Sequence, residues 1–214
     1  MKGARGFTLV EMAVVLIIVG LMLGGLLLPL SAQIDQRNLT EAQKRLDEIK
    51  EALIGYAIIN GRLPCPDTTG DGIEDACPSS LVTATTGGNL PWVTLGLSSQ
   101  DPWGQVYQYR VNNGYTTTFT LSTTPSGAGV LRVCSDTSCV STVASSVPAV
   151  IYSFGKNGAI QPPSSADELE NANNDRTFVS HAFSNVSGNE FDDIVVWLSQ
   201  NVLANRMVAA GKLP

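Results

Sequence analysis

The chain has 214 residues, with 13 lysines and arginines against 19 aspartates and glutamates, a formal charge of -6. No basic cluster in the sequence could displace counterions along a phosphate backbone, which argues against a nucleic-acid binder. Charged residues make up only 15%, and Gly, Ser, Thr and Asn crowd the second half, a composition that points to a β-rich extracellular surface rather than a cytosolic enzyme.

Met1 to Gly6 is short, basic and polar, with Lys2 and Arg5. Glu11 then stands at the edge of nineteen uncharged residues, Met12 to Leu30. At 1.5 Å per residue such a run makes about 28 Å of helix, close to a hydrocarbon core of about 30 Å. The basic side favours a cytoplasmic N-terminus and an exported remainder. A cleaved signal peptide fits less well, because the run is too long and a cut after Ala32 would place Leu30 where a small residue is wanted. A lone carboxylate beside a membrane-length run is a functional candidate by default. Within the run, Gly20-x-x-x-Gly24 would allow close helix approach, and Pro29 removes a backbone donor and marks a point of helix flexibility.

Gly6-Phe7-Thr8-Leu9-Val10-Glu11, with its basic leader and apolar continuation, resembles the N-terminal signal of type IV pilins and type II secretion pseudopilins. The resemblance implies an α+β, type IV pilin-like fold: a long N-terminal helix, membrane-spanning in its first half, packed on a small antiparallel sheet. It also implies a prepilin peptidase that cuts between Gly6 and Phe7 and methylates the new Phe7 amine. Glu11 becomes the assembly residue, its carboxylate meeting the amine of a neighbouring subunit so that neither charge is buried alone. The implied partners are the peptidase, other pilin or pseudopilin subunits and an inner-membrane assembly platform. The implied location is the inner membrane, single-pass, with the filament in the periplasm or at the cell surface.

The helix continues past the membrane. Leu39, Ala42, Leu46, Ile49, Leu53 and Tyr56 recur at spacings of three and four, one apolar face opposite Glu41, Lys44, Asp47, Glu48 and Glu51. Gly61, Pro64 and Pro66 end it. The expected organisation is therefore a leader at 1–6, a membrane and assembly half-helix at 7–33, an amphipathic half at 34–60 and a periplasmic β-rich domain at 61–214.

The four cysteines form two local pairs, and in an oxidising compartment disulfides Cys65–Cys77 and Cys134–Cys139 are favoured over zinc, for which the spacing is wrong and His181 is the sole histidine. Between the first pair, Asp67, Asp71 and Asp75 reproduce part of a calcium loop, but Pro78 stands where the closing glutamate belongs. A turn-rich loop built by Asp and Gly is the favoured reading there, with calcium as the alternative.

Leu90 to Leu97 reads as an irregular apolar connector, and Asp101-Pro102-Trp103-Gly104 as a type I turn. Strands are expected over Gln105–Val111, Tyr115–Ser122, Val130–Cys134, Cys139–Val143 and Ala149–Phe154, the first two joined as a hairpin through Asn112-Asn113-Gly114. Asp101-Pro102-Trp103-Gly104-x-x-Tyr107 resembles the turn that opens the sheet of major pseudopilins. Ser153-Phe154-Gly155-Lys156-Asn157-Gly158, followed by acidic residues and Asp192-Asp193-Ile194, resembles their C-terminal region, where a loop before the last strand binds calcium. The candidate ligands here are Asp167, Glu170, Asp175 and Asp192, with Glu168, Asn173, Asn174 and Asp193 also in reach. This loop, from about Gly155 to Glu190, is longer than the family pattern and reads as functional or mobile. Val202, Leu203, Met207 and Val208 predict a short C-terminal helix, which with the cysteines suggests a divergent or minor subunit.

No nucleophile–base arrangement or phosphate-cradling motif is visible, and Asp192 and Asp193 on a strand would face opposite sides, so no enzyme is expected. The leading expectation is a structural subunit of a type II secretion pseudopilus or related filament. The alternatives are a minor pilin for adhesion or DNA uptake and a non-polymerising membrane-anchored binding domain.

Overall fold

The computed structural model describes residues 6–160, 162–163 and 165–213; between 23 and 32 it describes the backbone but not the side chains. Lys2, Arg5 and most of the expected leader lie outside the described residues, as does the side chain of Pro29. The described backbone forms α1 (Leu9–Asn60), β1 (Thr85–Asn89), α2 (Trp92–Leu95), β2 (Gln108–Asn112), β3 (Leu131–Cys134), β4 (Thr142–Val147) and β5 (Ala149–Ser153). It continues with α3 (Ala166–Ala172), β6 (Thr177–Val179), β7 (Ser184–Val186), β8 (Asn189–Phe191), β9 (Ile194–Leu198) and α4 (Gln200–Ala209).

The chain divides into two compact units, one up to Thr40 and one from Glu41 onward. In the first, α1 opens on a reciprocal cap. The Glu11 amide donates to Thr8 Oγ1 at 3.2 Å, and Glu11 Oε2 accepts the Thr8 amide at 2.8 Å. From Phe7 to Met22 the large apolar side chains are exposed. Among the described residues no helix is long and apolar enough to cross a membrane; 23–32, the second part of the apolar run, lie among the residues whose side chains are not described.

The middle of the three-four stripe, in the second unit, is buried as the spacing predicts, while its ends, Leu39 and Tyr56, are half-buried. Ala42, Leu46, Ile49 and Leu53 are buried, joined by Ile54 and Ala57. Gly61, at φ 72°, stops the helix, its amide still donating to the Ala57 carbonyl at 2.8 Å. A four-stranded antiparallel sheet in the order β1-β2-β5-β9 covers the stripe. Tyr107, Tyr109, Val111, Ile151, Val196 and Leu198 meet Leu46, Ile49 and Leu53, and Leu203 and Met207 of α4 close the same core. Alternation along the strands sends Val150, Tyr152 and Val195 to the other face, where they pack on Leu131, Val133, Val147 and Phe178. Those residues belong to a second sheet, β4-β3-β6, in which β3 and β6 run parallel.

The structure departs from the sequence expectations at several places. Tyr115–Ser122 is not a return strand: both edges of β2 are taken, by β1 and β5. The chain instead turns in a short 3-10 segment (Asn113–Tyr115), whose Gly114 amide is capped by Asn112 Oδ1 at 2.9 Å. Thr85–Asn89, to which no element was assigned above, is an edge strand, and its glycines are used for closeness. A Cβ on Gly88 would lie 2.6 Å from the Asp67 carbonyl, and Asp67 and Asn89 exchange backbone hydrogen bonds. The expected irregular connector contains α2, and the long acidic loop carries α3, β6 and the β7–β8 hairpin rather than irregular chain. The sheets are not purely antiparallel, because β6 joins β3 through a crossover.

Candidate functional site

Both local cysteine pairs are joined, Cys65 to Cys77 and Cys134 to Cys139. Inside the first loop, Asp67 is fully buried, and its carboxylate accepts the amides of Thr69 (3.0 Å), Gly70 (2.6 Å) and Gly72 (2.9 Å). Asp75 Oδ2 accepts the amides of Thr68 and Thr69 and the Thr68 hydroxyl, and Asp71 Oδ1 accepts the Ile73 amide. The three carboxylates therefore hold the turns of their own loop. Glu74 ties the loop to the helix end, bonding Arg62 Nη2 at 2.7 Å, the Tyr56 hydroxyl at 2.6 Å and the Cys65 amide at 3.1 Å. Burial alone would raise its pKa, but these donors outweigh it and hold it below the usual carboxylate value.

A second group of carboxylates forms where two sequence motifs meet. Asp101, buried at the head of the Asp-Pro-Trp-Gly turn, accepts the amides of Trp103 (2.9 Å) and Gln105 (2.8 Å) on Oδ1 and the Ser153 hydroxyl (2.6 Å) on Oδ2. Ser153 Oγ in turn accepts the Gly155 amide at 3.1 Å. Gly155, at φ 63°, lies so close to Asp192 that a Cβ there would fall 2.3 Å from its carbonyl and 2.5 Å from Oδ1.

Asp192 and Asp193 occupy the link between β8 and β9 rather than a strand, so strand alternation does not part them. With Glu168 of α3 they bring three carboxylate oxygens within 4.8 Å of one another. Glu168 is almost wholly buried; it accepts the Asn157 side-chain amide at 3.0 Å on each oxygen and the Asp192 amide at 3.1 Å. Asp193 Oδ2 accepts from Asn171 Nδ2 at 2.8 Å, and Asp192 Oδ2 accepts the Asn157 amide at 3.0 Å. Asp192 Oδ1 is buried without a partner. Burial, reinforced by the neighbouring carboxylates, pushes Asp193 up to about 8 and Asp192 up to about 6.

Of the candidate oxygens named from sequence, those of Glu168, Asp192 and Asp193 join this group, while Asp167, Glu170 and Asp175 do not. Asp167 faces outward, accepting the Thr137 amide at 2.9 Å and contacting His181 Nε2 at 3.1 Å. Glu170 holds Asn173, and Asp175 Oδ1 holds the Thr177 amide. Glu168 rather than Asp167 enters the group because α3 turns about 100° per residue, so the two cannot face the same way. The one sequence sign of this was Ser165, which caps α3 through the Glu168 amide at 3.2 Å and fixes its phase.

The profile of the prokaryotic N-terminal methylation motif matches residues 1–27, and that of protein G of the type II secretion system matches residues 30–128. A curated relative, the type II secretion system core protein G of Pseudomonas aeruginosa, is 33% identical over 109 residues, covering 49% of this chain and 71% of the relative. The chain belongs to the type IV pilin and pseudopilin family. No solved structure matches it. The stretch of this pseudopilin matched to protein G holds the amphipathic helix, the first disulfide loop and the Asp101 turn, and it ends before Glu168, Asp192 and Asp193.

Proposed function

We propose that this chain is a structural subunit of a type II secretion pseudopilus, processed at Gly6/Phe7, held in the inner membrane by 7–33 and assembled through that segment. The carrying observation is the first unit of the structure. A helix apolar all round, exposed from Phe7 to Met22, has no cover of its own and suits lipid or a bundle of like helices. Glu11, at its start, bonds Thr8 through Oε2, and among the described residues Oε1 takes part in no hydrogen bond, which suits the Phe7 amine that cleavage would create on a neighbour. The match to protein G supports secretion over the other filament readings.

The experiment is intact mass of membrane-extracted protein together with charge reversal at Glu11. The expected mass lacks Met1 to Gly6, gains one methyl group and loses two hydrogens for each disulfide. Glu11→Lys should insert in the membrane normally but fail to assemble. An unprocessed chain, or unchanged assembly of the variant, would overturn the reading.

In the same reading, Glu168, Asp192 and Asp193 hold a calcium ion. The fit rests on the crowded oxygens, the unpartnered Asp192 Oδ1 and the all-oxygen donor set, which suits a hard cation. The ion would supply positive charge where three carboxylates, two buried and one half-buried, are gathered. The chain's own residues do the positioning: Asn157 and Asn171 orient Glu168 and Asp193, and Gly155 leaves room for Asp192. The group then ties α3 to the entry of β9, and calcium would stiffen that link.

A further inference from the structure

A cavity of about 300 Å³ is lined by Arg110, Arg132 and Arg176 together with Thr85, Thr177 and Asp175. Three guanidinium groups against one carboxylate leave an excess of two positive charges there, in a chain whose net charge is -6. Arg110, on β2, is buried to 6% exposure. Its Nη1 donates to Thr85 Oγ1 at 3.1 Å, and its Nη2 donates to the Asn174 carbonyl at 2.5 Å and to Asn174 Oδ1. Its Nε is buried without a partner. Gly87 makes this placement feasible, since a Cβ there would lie 2.6 Å from Arg110 Nη2. Arg132 on β3 and Arg176, the residue before β6, are brought side by side by the parallel pairing, the Arg132 amide donating to the Arg176 carbonyl at 3.1 Å. Both side chains are half-buried, and among the described residues neither guanidinium takes part in a hydrogen bond or ion pair.

Gathering like charges around a partly desolvated cavity costs free energy that an occupant of opposite charge would offset. A guanidinium presents planar pairs of N–H donors matched to the oxygens of carboxylate or phosphate. The geometry points to an anion site in this cavity, taking an oxyanion of about two negative charges, of the phosphate or dicarboxylate class, with Arg132 and Arg176 as its direct contacts and Arg110 as the buried positive wall. The oxyanion engages Arg132 and Arg176 at the open side, while Arg110 is held in place by Thr85 and Asn174. Occupancy also fastens β6 and the link that precedes it to β2 and β3.

Calorimetric titration of the full chain in detergent at low ionic strength, with inorganic phosphate in one arm and succinate in the other, tests this. Saturable binding of either anion is expected; phosphate alone assigns the phosphate class and succinate alone the dicarboxylate class. Binding should weaken at least about tenfold in Arg176→Gln and further in the Arg132→Gln/Arg176→Gln pair, and be unchanged in Arg206→Gln, a surface arginine outside the cavity. The replaced side chains hold no other described residue, so folding should persist, and thermal melts of the single variant verify it. No saturable binding of either anion, or an equal loss in Arg206→Gln, would overturn the assignment.

Discussion

Raising the pH in the presence of a chelator should destabilise the second unit through Asp193, and calcium should reverse the effect. The folded chain lifts this carboxyl from 3.8 to about 8, first through burial and then through the charges of Glu168 and Asp192. A raised acid binds its proton more tightly folded than unfolded. Its destabilisation is therefore absent below about pH 4 and grows as pH rises toward 8. At about 1.36 kcal/mol per unit, the penalty reaches on the order of 4 kcal/mol by pH 7, or about 10 °C in melting temperature for a domain of this size. Asp192, lifted to about 6, adds to the same trend but is coupled to Asp193, so the two are not summed. A cation takes the proton's place. At 100 times its dissociation constant it stabilises by about 2.7 kcal/mol, and it does so at pH 7.5 far more than at about pH 5, where protons compete. Asp193→Asn mimics the protonated form, so it should melt higher than the parent in chelator at neutral pH, with a flatter pH profile and a smaller response to calcium. Thermal melts of parent and variant, with chelator or calcium, give the comparison. Identical pH profiles for the two proteins in chelator would refute the reasoning.

Two further outcomes follow from the core and its turns. Leu53→Ala empties a fully buried position between α1 and the sheet, and should cost about 2–5 kcal/mol in chemical denaturation. Asp101→Ala removes the acceptor of two backbone amides and the Ser153 hydroxyl, so about 3 kcal/mol should be lost. Because Ser153 leads through Gly155 to Asp192, that variant should also weaken the calcium response, read from the same melts.

The long helix, its buried stripe, the two disulfides and the strand at Ala149–Ser153 could be read in the sequence because each rests on local signals: periodicity, apolar runs and nearby cysteines. Thr85–Asn89 could not, because its residues favour turns and only the edge of β2 makes them a strand. The same limit hid α3 and β6 inside an acidic stretch, where β6 gains its order from pairing with the distant β3.

By itself, the sequence determined what short-range chemistry can dictate. Gly6-Phe7-Thr8-Leu9-Val10-Glu11 carried the N-terminal methylation motif, the three-four repeat determined which helix face is buried, and the Asp67 loop carried its own turns. Only the tertiary structure decided which distant charges share an environment. It turned Glu168 rather than Asp167 toward Asp192 and Asp193, and it gathered Arg110, Arg132 and Arg176 on one cavity in a chain whose linear sequence has no basic cluster. The physical reason is that chemistry between separated residues depends on sheet pairing and helix phase. Both are fixed by packing over the whole unit rather than by neighbours along the chain.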